Sequence, residues 1–381
     1  MKRALLTIVL LGLSTVPAYA AAPTETTVFQ SGTEGYHTFR IPAIVKARDG
    51  ALLAFAEARR ASASDTGDID LVMKRSTNGG KTWGKVQVVG DNGPNTFGNP
   101  APVVDRRTGR IVLLSTHNAG TAHESDIRKG TVKPEDSRRV FVQHSDDNGR
   151  TWSKARDITP QTKQADWRWY ATGPGHAISL RSGRMVVAAN HSSAPPSGSS
   201  DNGTEAKYYD AHLVYSDDGG RNWHIGAKDI NADGVVNGNE STAAELPDGR
   251  VYVNTRDQNG TSDGTRAATY STDGGRSFTA PFQPVPALVA PVVQGSTLQV
   301  HNGPLLFSAP GDPTARQKMT VRASKDGGKT WPKSVEISTS KAAYSDLVQL
   351  KDDKVGLLYE TGVTGTYERI VFHTFGVGSV G

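Results

Sequence analysis

One eight-residue pattern occurs five times along the chain, and it constrains the fold of the chain more than any other feature does. The pattern, Ser-x-Asp-x-Gly-x-Thr-Trp, is complete at Ser145–Trp152 and Ser324–Trp331. The copies at Ser76–Trp83, Ser216–Trp223 and Ser271–Phe278 each carry one or two replacements. The Asp or Asn side chain can fold onto nearby backbone N–H groups, Gly allows a positive φ, and the aromatic side chain packs beneath. Each copy, called an Asp-box below, therefore predicts a tight turn between two strands.

Short apolar segments lie at equivalent places before each box. We predict that one such segment forms the second strand of each repeat: Ala51–Ala56, Arg110–Ser115, Arg184–Ala189, Arg250–Asn254, Pro304–Phe307 and Lys354–Tyr359. The predicted third strands, which run into a box, are Leu71–Arg75, Val140–His144, His212–Tyr215, Ala267–Tyr270 and Met319–Ala323. The predicted first strands begin near Arg40, Asn99, Gly175, Glu240, Gln294 and Tyr344. A fourth strand follows each box, and the sixth repeat, which has no box, ends with a strand near Arg369–Thr374.

These repeats predict an all-β chain that forms a six-bladed β-propeller of four-stranded antiparallel blades with Asp-box turns. The boxes begin at residues 76, 145, 216, 271 and 324, so that neighbours lie 69, 71, 55 and 53 residues apart. These spacings are near or somewhat above the period of propeller blades. A ring of blades leaves only short, protected edges. An open stack or a β-sandwich is the alternative, but a pair of sandwiches would not need the same turn five times.

The N-terminal residues differ from the repeats in composition. Lys2 and Arg3 precede an apolar run, Ala4–Leu13, and Ala18 and Ala20 are small residues of the kind that precede a cleavage site. They predict a signal peptide, residues 1–20, that is cleaved after Ala20. We therefore expect a secreted or periplasmic protein with a single catalytic domain, residues 21–381. Because no Cys lies near the cleavage site, we expect no lipid anchor.

The charge of the chain suits an anionic ligand without selecting one. The formal net charge is +5, and a mild positive balance attracts anions. No dense run of Lys and Arg with interleaved aromatic residues occurs, so we expect no nucleic-acid partner. The His residues show no metal-binding spacing, and no phosphate loop or Ser-His-Asp grouping is evident. We expect no metal, no cofactor and a monomer.

Antiparallel topology predicts which side chains meet. The start of strand one, the end of strand two and the start of strand three lie at one end of a blade, and the boxes lie at the other. The charged and aromatic residues placed at the first end are Arg40, Arg59, Asp65, Glu240, Arg256, Arg316, Tyr344 and Glu360. Because different repeats contribute them to one rim, we expect a pocket there.

These residue types suit chemistry on an anionic sugar. Three converging guanidinium groups bind a carboxylate through charge-assisted, bidentate bonds, and Glu360 is placed to brace Arg40. A carboxylic acid such as Asp65 can protonate a glycosidic oxygen. Tyr344 can lose its proton to Glu240 as it attacks.

The chain resembles the bacterial exo-α-sialidase (neuraminidase) family over essentially the whole mature sequence. The segment Phe39–Pro42, Phe-Arg-Ile-Pro, matches the family's Phe/Tyr-Arg-Ile-Pro signature, and the five boxes match its Asp-boxes. The resemblance implies a set of substrate-binding residues: the triad Arg40, Arg256 and Arg316, the further pocket arginine Arg59, the substrate contact Asn99, and Glu360 in support of Arg40.

The same resemblance implies the catalytic roles. Asp65 would be the acid/base, Tyr344 the nucleophile and Glu240 its base, in a retaining hydrolysis of terminal sialic acid from glycoproteins, glycolipids and oligosaccharides. Sialic acid carries a carboxylate on its anomeric carbon, where an attacking Asp or Glu would meet like charge. A neutral phenol avoids that repulsion.

Three alternatives to sialic acid hydrolysis stay open. A propeller that binds sialylated glycans without turnover would keep the arginines but lose Tyr344, Glu240 or Asp65, and all three are present. A related enzyme could transfer the sugar or release an anhydro product. A glycosidase that acts on neutral polysaccharides with two carboxylates would leave the arginines unexplained.

One segment fits a different function. Asp229–Gly234, taken with Glu240, matches the calcium loop of an EF-hand, D-x-N-x-D-G-x5-E. An EF-hand needs a helix on each side, however, and the flanking segments are predicted strands.

Two kinds of segment could shape the pocket. Trp167, Trp169 and Tyr170 could stack on a sugar or pack within a blade. The long loops Asn118–Arg139 and Ser192–Lys207 follow second strands, on the same rim as the predicted pocket. Loops of this kind usually cover or shape a site.

Overall fold

Nearly all regular structure in this computed structural model is β-strand. The structure describes residues 25–229, 234–259, 264–351 and 353–380. Within these ranges helix is confined to α1 (Glu124–Lys129), α2 (Thr159–Thr162) and two short 3-10 segments, Ala206–Tyr208 and Val377–Ser379. No helix among the described residues is long and apolar enough to cross a membrane. The all-β prediction is confirmed.

The strands, numbered in chain order, divide into six antiparallel units, of which unit three has five strands and each of the others has four. The first strand, β1 (Glu25–Gln30), belongs to the last unit. Unit one contains β2 (Thr38–Lys46), β3 (Leu52–Arg59), β4 (Ile69–Ser76) and β5 (Gln87–Gly90). Unit two contains β6 (Thr96–Val104), β7 (Ile111–Asn118), β8 (Arg139–Ser145) and β9 (Arg156–Asp157). In unit three, β10 (Trp167–Thr172) and β11 (Ile178–Ser179) share one edge of β12 (Met185–Ser193), which is followed by β13 (Tyr209–Ser216) and β14 (His224–Lys228).

The last three units continue the series. Unit four contains β15 (Gly238–Glu245), β16 (Val251–Asp257), β17 (Arg266–Ser271) and β18 (Gln283–Pro284). Unit five contains β19 (Ser296–Gln299), β20 (Leu305–Pro310), β21 (Gln317–Ser324) and the first part of β22 (Lys333–Lys351). Unit six contains the second part of β22, then β23 (Lys354–Gly362), β24 (Arg369–Gly376) and β1.

The structure corrects the predicted strands in two places. The first strand of unit three begins at Trp167 rather than near Gly175, and Tyr170 pairs with His191 of β12. Gly173 and Gly175, both at positive φ, interrupt this edge between β10 and β11. The other correction is β1, which the sequence analysis missed because no box marks it.

Each Asp-box is a closed hydrogen-bonded turn between the third and fourth strands. In the second copy, Asp147 Oδ1 accepts hydrogen bonds from the backbone N–H groups of Arg150 and Thr151, both at 2.9 Å. Its Oδ2 accepts from the Thr151 hydroxyl at 2.6 Å. The Ser145 hydroxyl donates to Asp147 and accepts from the Gly149 N–H, both at 2.8 Å. These bonds explain why the pattern requires Ser, Asp and Thr at these spacings.

The fifth residue of every box is a glycine that packs against the preceding unit. These glycines, all at positive φ, are Gly80, Gly149, Gly220, Gly275 and Gly328. A Cβ atom at Gly80 would overlap the ring of Phe372 in unit six, and one at Gly149 would overlap Leu53 in unit one. The Trp side chains of the boxes pack in the same direction: the rings of Trp152 and Phe55 lie 5.8 Å apart and those of Trp83 and Phe372 lie 5.5 Å apart. The boxes therefore join neighbouring units as well as neighbouring strands.

Candidate active site

A β-bulge recurs at the same place in the first strands of five units. In each, two residues of the first strand oppose one of the second, between Arg40 and Ala43, Gly98 and Ala101, Trp167 and Tyr170, Gly238 and Ser241, and Ala342 and Ser345. Such a bulge turns side chains away from the regular alternation of a strand. The bulged residues that it directs into one cavity include Ile41, Asn99, Trp169, Glu240 and Tyr344.

This cavity, of about 360 Å³, contains eight of the nine residues predicted for the site. They are Arg40, Arg59, Asp65, Asn99, Glu240, Arg256, Arg316 and Tyr344. The ninth, Glu360, is fully buried behind Arg40. A larger groove of about 740 Å³ lies between unit three and the box of unit four, and Trp167 lines it. None of the nine residues predicted for the site lines this groove. No Asp-box residue is among those lining the 360 Å³ cavity, as expected if the boxes lie at the other end of the units.

Two of the three predicted triad arginines are braced by carboxylates. Arg40 donates to Glu360 through Nε at 3.0 Å and Nη2 at 3.3 Å. Glu360 also accepts hydrogen bonds from the backbone N–H groups of Ile41 and Tyr344, at 2.9 and 3.1 Å. Arg256 Nη1 donates to Glu240 Oε2 at 2.8 Å. These acids offset the repulsion between the guanidinium groups and fix two of them at the cavity wall.

Tyr344 lies among the three arginines, and its hydroxyl is hydrogen-bonded to a carboxylate. The hydroxyl donates to Glu240 Oε1, and Arg256 Nη1 lies 3.4 Å from the same hydroxyl oxygen. The guanidinium carbons of Arg40 and Arg316 lie 5.0 and 5.6 Å from the centre of the Tyr344 ring. Burial and the Glu240 charge raise the pKa of the Tyr344 phenol, although the three arginines oppose the shift. The phenol is therefore protonated at neutral pH, and its proton lies in the hydrogen bond to Glu240.

Asp65 stands at the cavity mouth, with 74% of its side chain exposed. Its Oδ1 lies 2.7 Å from Arg59 Nη2 and 3.4 Å from Arg40 Nη1. Desolvation by the surrounding cavity wall would raise the pKa of the Asp65 carboxyl, but the charges of Arg59 and Arg40 outweigh it and hold the pKa below its usual range. Arg59 itself is fixed by Glu57, whose Oε2 accepts from Arg59 Nη2 at 2.6 Å.

Asn99 is held by a partner that the sequence analysis did not identify. Its Oδ1 accepts from Arg138 Nη1 at 2.8 Å and from the Thr116 hydroxyl at 3.0 Å. The Arg138 guanidinium also stacks on Trp169, 3.9 Å from the ring centre. Burial lowers the pKa of Arg138 to about 10, so this side chain remains a cation at neutral pH.

Several other cavity residues were also missed: Glu57, Glu124, Arg138, Asn190, Tyr209, Asn239, Gln258 and Tyr367. Glu124 lies on α1 within the predicted rim loop, and it accepts a hydrogen bond from the Tyr209 hydroxyl. The length and charge of that loop indicated that it would shape the pocket, but gave no signal for Glu124 itself.

The three aromatic residues that could stack on a sugar or pack within a blade have different surroundings. Trp169 lines the cavity, whereas Tyr170 is fully buried in the core and Trp167 stacks on His191 at 3.6 Å. Residues 230–233 of the possible calcium loop lie outside the described residues. Glu240, its twelfth position, lies in strand β15 and faces the cavity.

Comparison with known proteins identifies the family of this chain. The family model for the BNR repeat-like domain matches residues 50–359. The chain is 32% identical to an exo-alpha-sialidase of Aspergillus fumigatus, over 90% of this chain and 84% of that protein. The chain belongs to the sialidase family. It is also 33% identical to a sialidase of Micromonospora viridifaciens, over 92% of this chain, and it spans 55% of that longer protein.

A solved structure supports the same family. The Hadza microbial sialidase Hz136 matches with a TM-score of 0.81 at 28% identity, over 94% of this chain and 69% of that one. Sialidases are glycoside hydrolases, and the BNR repeat-like match covers most of the length of this chain.

Proposed function

We propose that this protein is an exo-α-sialidase that hydrolyses terminal sialic acid from glycoproteins, glycolipids and oligosaccharides. The observation that carries the proposal is the Tyr344–Glu240 hydrogen bond in a cavity that is also lined by the three arginines Arg40, Arg256 and Arg316. A phenol paired with a base can attack an anomeric carbon that bears a carboxylate, because the neutral phenol is not repelled by that charge. The names of the Aspergillus and Micromonospora relatives support the same substrate class.

In the first step, the substrate carboxylate binds Arg40, Arg256 and Arg316, which presents the anomeric carbon to Tyr344. The phenol oxygen bonds to that carbon while its proton passes to Glu240. The bond between the anomeric carbon and the leaving oxygen breaks, and Asp65 donates a proton to this oxygen. The position of Asp65 at the exposed mouth suits this role because the rest of the glycan would extend towards solvent.

In the second step, Asp65, now a carboxylate, removes a proton from a water molecule that attacks the anomeric carbon. The bond to Tyr344 breaks, and the phenol recovers its proton from Glu240. Two displacements at the same carbon give overall retention of configuration. Every proton taken up in one step is thereby returned in the other.

We also propose that the six units close into a six-bladed propeller. A central cavity of about 290 Å³ is lined by residues from the first strand of each unit, among them Ile44, Val103, Ile178, Ala243, Leu298 and Leu347. The box of unit one packs on Phe372 of unit six, and β1 pairs with β24. These contacts between the beginning and the end of the repeat series support a closed ring.

The proposal extends to residues 1–20 as a signal peptide and to a single monomeric catalytic domain, residues 21–381, in the periplasm or the medium. Expression of the full chain with its leader, followed by N-terminal sequencing of the exported protein, tests this. Ala21 is the expected first residue. Retention of Met1 in the exported protein would contradict the cleavage.

The decisive experiment is incubation of the mature protein with sialyllactose isomers, with the products identified by NMR. We expect free sialic acid, released first as the α-anomer, together with lactose. An anhydro sugar or transfer to lactose would indicate the related transfer activities, and binding without release would indicate a lectin. Tyr344→Phe, which removes the proposed nucleophile, should abolish release at unchanged folding.

A further inference from the structure

One aromatic residue contacts two of the three arginines in the proposed carboxylate site. The Tyr367 hydroxyl accepts a hydrogen bond from Arg316 Nη1 at 2.7 Å. The face of the same ring lies against Arg40, whose guanidinium carbon is 3.9 Å from the ring centre. Tyr367 also lines the cavity. Neither the Asp-boxes nor the strand pattern pointed to this residue.

The three arginines differ in how they are held. Arg40 is paired with Glu360 and Arg256 with Glu240, so each shares its charge with a carboxylate. The contacts that hold Arg316 are of another kind: the phenol of Tyr367 and the backbone carbonyl of Val292, to which its Nη2 donates at 3.2 Å. Neither of these two acceptors is a carboxylate. They can orient the guanidinium group without cancelling its charge.

We propose that Tyr367 is a positioning residue for recognition of the substrate carboxylate. Its hydroxyl holds Arg316 in the orientation that binds the carboxylate and leaves the full positive charge of Arg316 available to the ligand. Its ring covers Arg40 and keeps water from one face of that guanidinium group. The inference rests on the proposed sialidase function and specifies how the site binds the acid group of its substrate.

A compact loop holds Tyr367 in place. The carboxylate of the next residue, Glu368, accepts hydrogen bonds from the backbone N–H groups of Val363, Thr364 and Gly365, at 2.9, 2.9 and 2.7 Å. This folds residues 363–368 into a tight turn between β23 and β24. The Tyr367 backbone carbonyl also accepts from the Ser31 hydroxyl at 2.8 Å, which joins the turn to the N-terminal segment. The ring is therefore presented to the arginines by a closed turn.

The test compares one aryl sialoside with its methyl ester, which lacks the negative charge, in the wild type and in Tyr367→Phe. The phenylalanine keeps the ring but loses the hydrogen bond to Arg316. We expect the ratio of kcat/KM for the acid to that for the ester to fall about tenfold, the value of one hydrogen bond to a charged group. Because the carboxylate is bound in both the ground and the transition state, the loss should appear in KM, with kcat changed by less than about twofold.

Two further variants separate positioning from general damage. With Arg316→Ala as background, Tyr367→Phe should have no additional effect on the acid-to-ester ratio, because the group that it positions is gone. Tyr270→Phe is the matched control, since it removes a phenol that donates to the Gly327 carbonyl at a box, and it should leave the ratio unchanged. The ratio is taken on a single preparation, so that a partial loss of folded protein cancels.

The outcomes are distinct. A wild type that releases no sugar from the acid substrate contradicts the proposed function itself. An active wild type with the same acid-to-ester ratio in Tyr367→Phe contradicts the role of Tyr367 and leaves the sialidase proposal standing. An equal effect of Tyr367→Phe with and without Arg316 would also overturn the inference, because it would mean that Tyr367 acts independently of Arg316.

Discussion

At the scale of single residues, the rate lost on replacing Asp65 should depend on the leaving group of the substrate. An aryl sialoside with a good leaving group needs little protonation, whereas a natural sialoside needs a proton donor. Asp65→Asn should therefore keep much of its rate on the aryl substrate but lose roughly 10²- to 10⁴-fold on sialyllactose, the usual range for general acid catalysis. Initial rates on both substrates measure this contrast. Equal losses on the two substrates would remove Asp65 from the acid role.

The electrostatics of Asp65 also predict a pH dependence. In the free protein, Arg59 and Arg40 hold the pKa of Asp65 below its usual range, which favours the ionised form. A substrate carboxylate on Arg40 would compete for that guanidinium and bring a further negative charge, and both effects raise the pKa of Asp65. The basic limb of the kcat profile on sialyllactose should therefore lie at higher pH than that of kcat/KM, which reports the free enzyme. Coincident limbs would contradict this coupling.

Single site residues could be predicted from the sequence where a local motif or a strand end marked them. Arg40 follows Phe39 in a signature, and Glu240 and Arg256 lie at the ends of paired strands. Tyr367 and Arg138 carried no such mark. They reach the cavity from loops whose course depends on contacts distant in sequence, such as the stacking of Arg138 on Trp169.

At the scale of elements, the turns were predictable and the bulges were not. An Asp-box is a local hydrogen-bonded turn, so its residues specify it directly. A bulge depends on the register between two strands, which the sequence of one strand does not specify. Ile41 and Asn99 adopt φ angles of 59° and 53° at their bulges. Ile is rare in that region, and no sequence pattern predicted it there.

The first Asp-box offers a matched prediction about turn and packing. Gly79 and Gly80 both have positive φ, but a Cβ at Gly79 would meet nothing within 4 Å, whereas one at Gly80 would overlap the Phe372 ring. Gly79→Ala should cost about 1–2 kcal/mol in unfolding free energy, the strain of a left-handed alanine. Gly80→Ala should cost roughly 1–3 kcal/mol more because of overpacking. Urea unfolding measures both, and equal losses would contradict the contact between units one and six.

At the scale of the whole molecule, the all-β class was predictable because the repeated pattern is redundant. Five boxes predict five repeats, and the apolar segment Lys354–Tyr359 predicts a sixth. The role of β1 was not predictable, because its partner β24 lies more than 330 residues away along the chain. Glu25 pairs with His373 and Gln30 with Arg369. Pairing between the two ends of a chain leaves no periodic signal in either segment.

A pair of buried histidines predicts how the stability of the molecule depends on pH. His212 is fully buried, its Nδ1 lies 3.0 Å from Nδ1 of His191, and its ring packs against Trp167 and Tyr170. Burial and the charge of Lys228 lower the pKa of His212 to about 3. Burial, together with the neighbouring His212, also lowers the pKa of His191 well below its usual value. Both imidazoles are therefore neutral in the folded protein at pH 5.

The sign of the effect follows from the unfolded chain, in which a histidine takes up its proton near pH 6.5. Between pH 6.5 and 3 the unfolded state binds protons that the folded state excludes, so the stability present above pH 6.5 is lost as the pH falls. From pH 6.5 to 5.0 His212 alone should account for a loss of roughly 1.5 kcal/mol. Urea unfolding at the two pH values measures the decrease in unfolding free energy. In His212→Leu this decrease should be smaller than in the wild type by about 1.5 kcal/mol, whatever the absolute stability of the variant. His301→Asn, which removes an exposed imidazole in a turn, should leave the drop as it is. An unchanged drop in His212→Leu would mean that this imidazole does not oppose folding in acid.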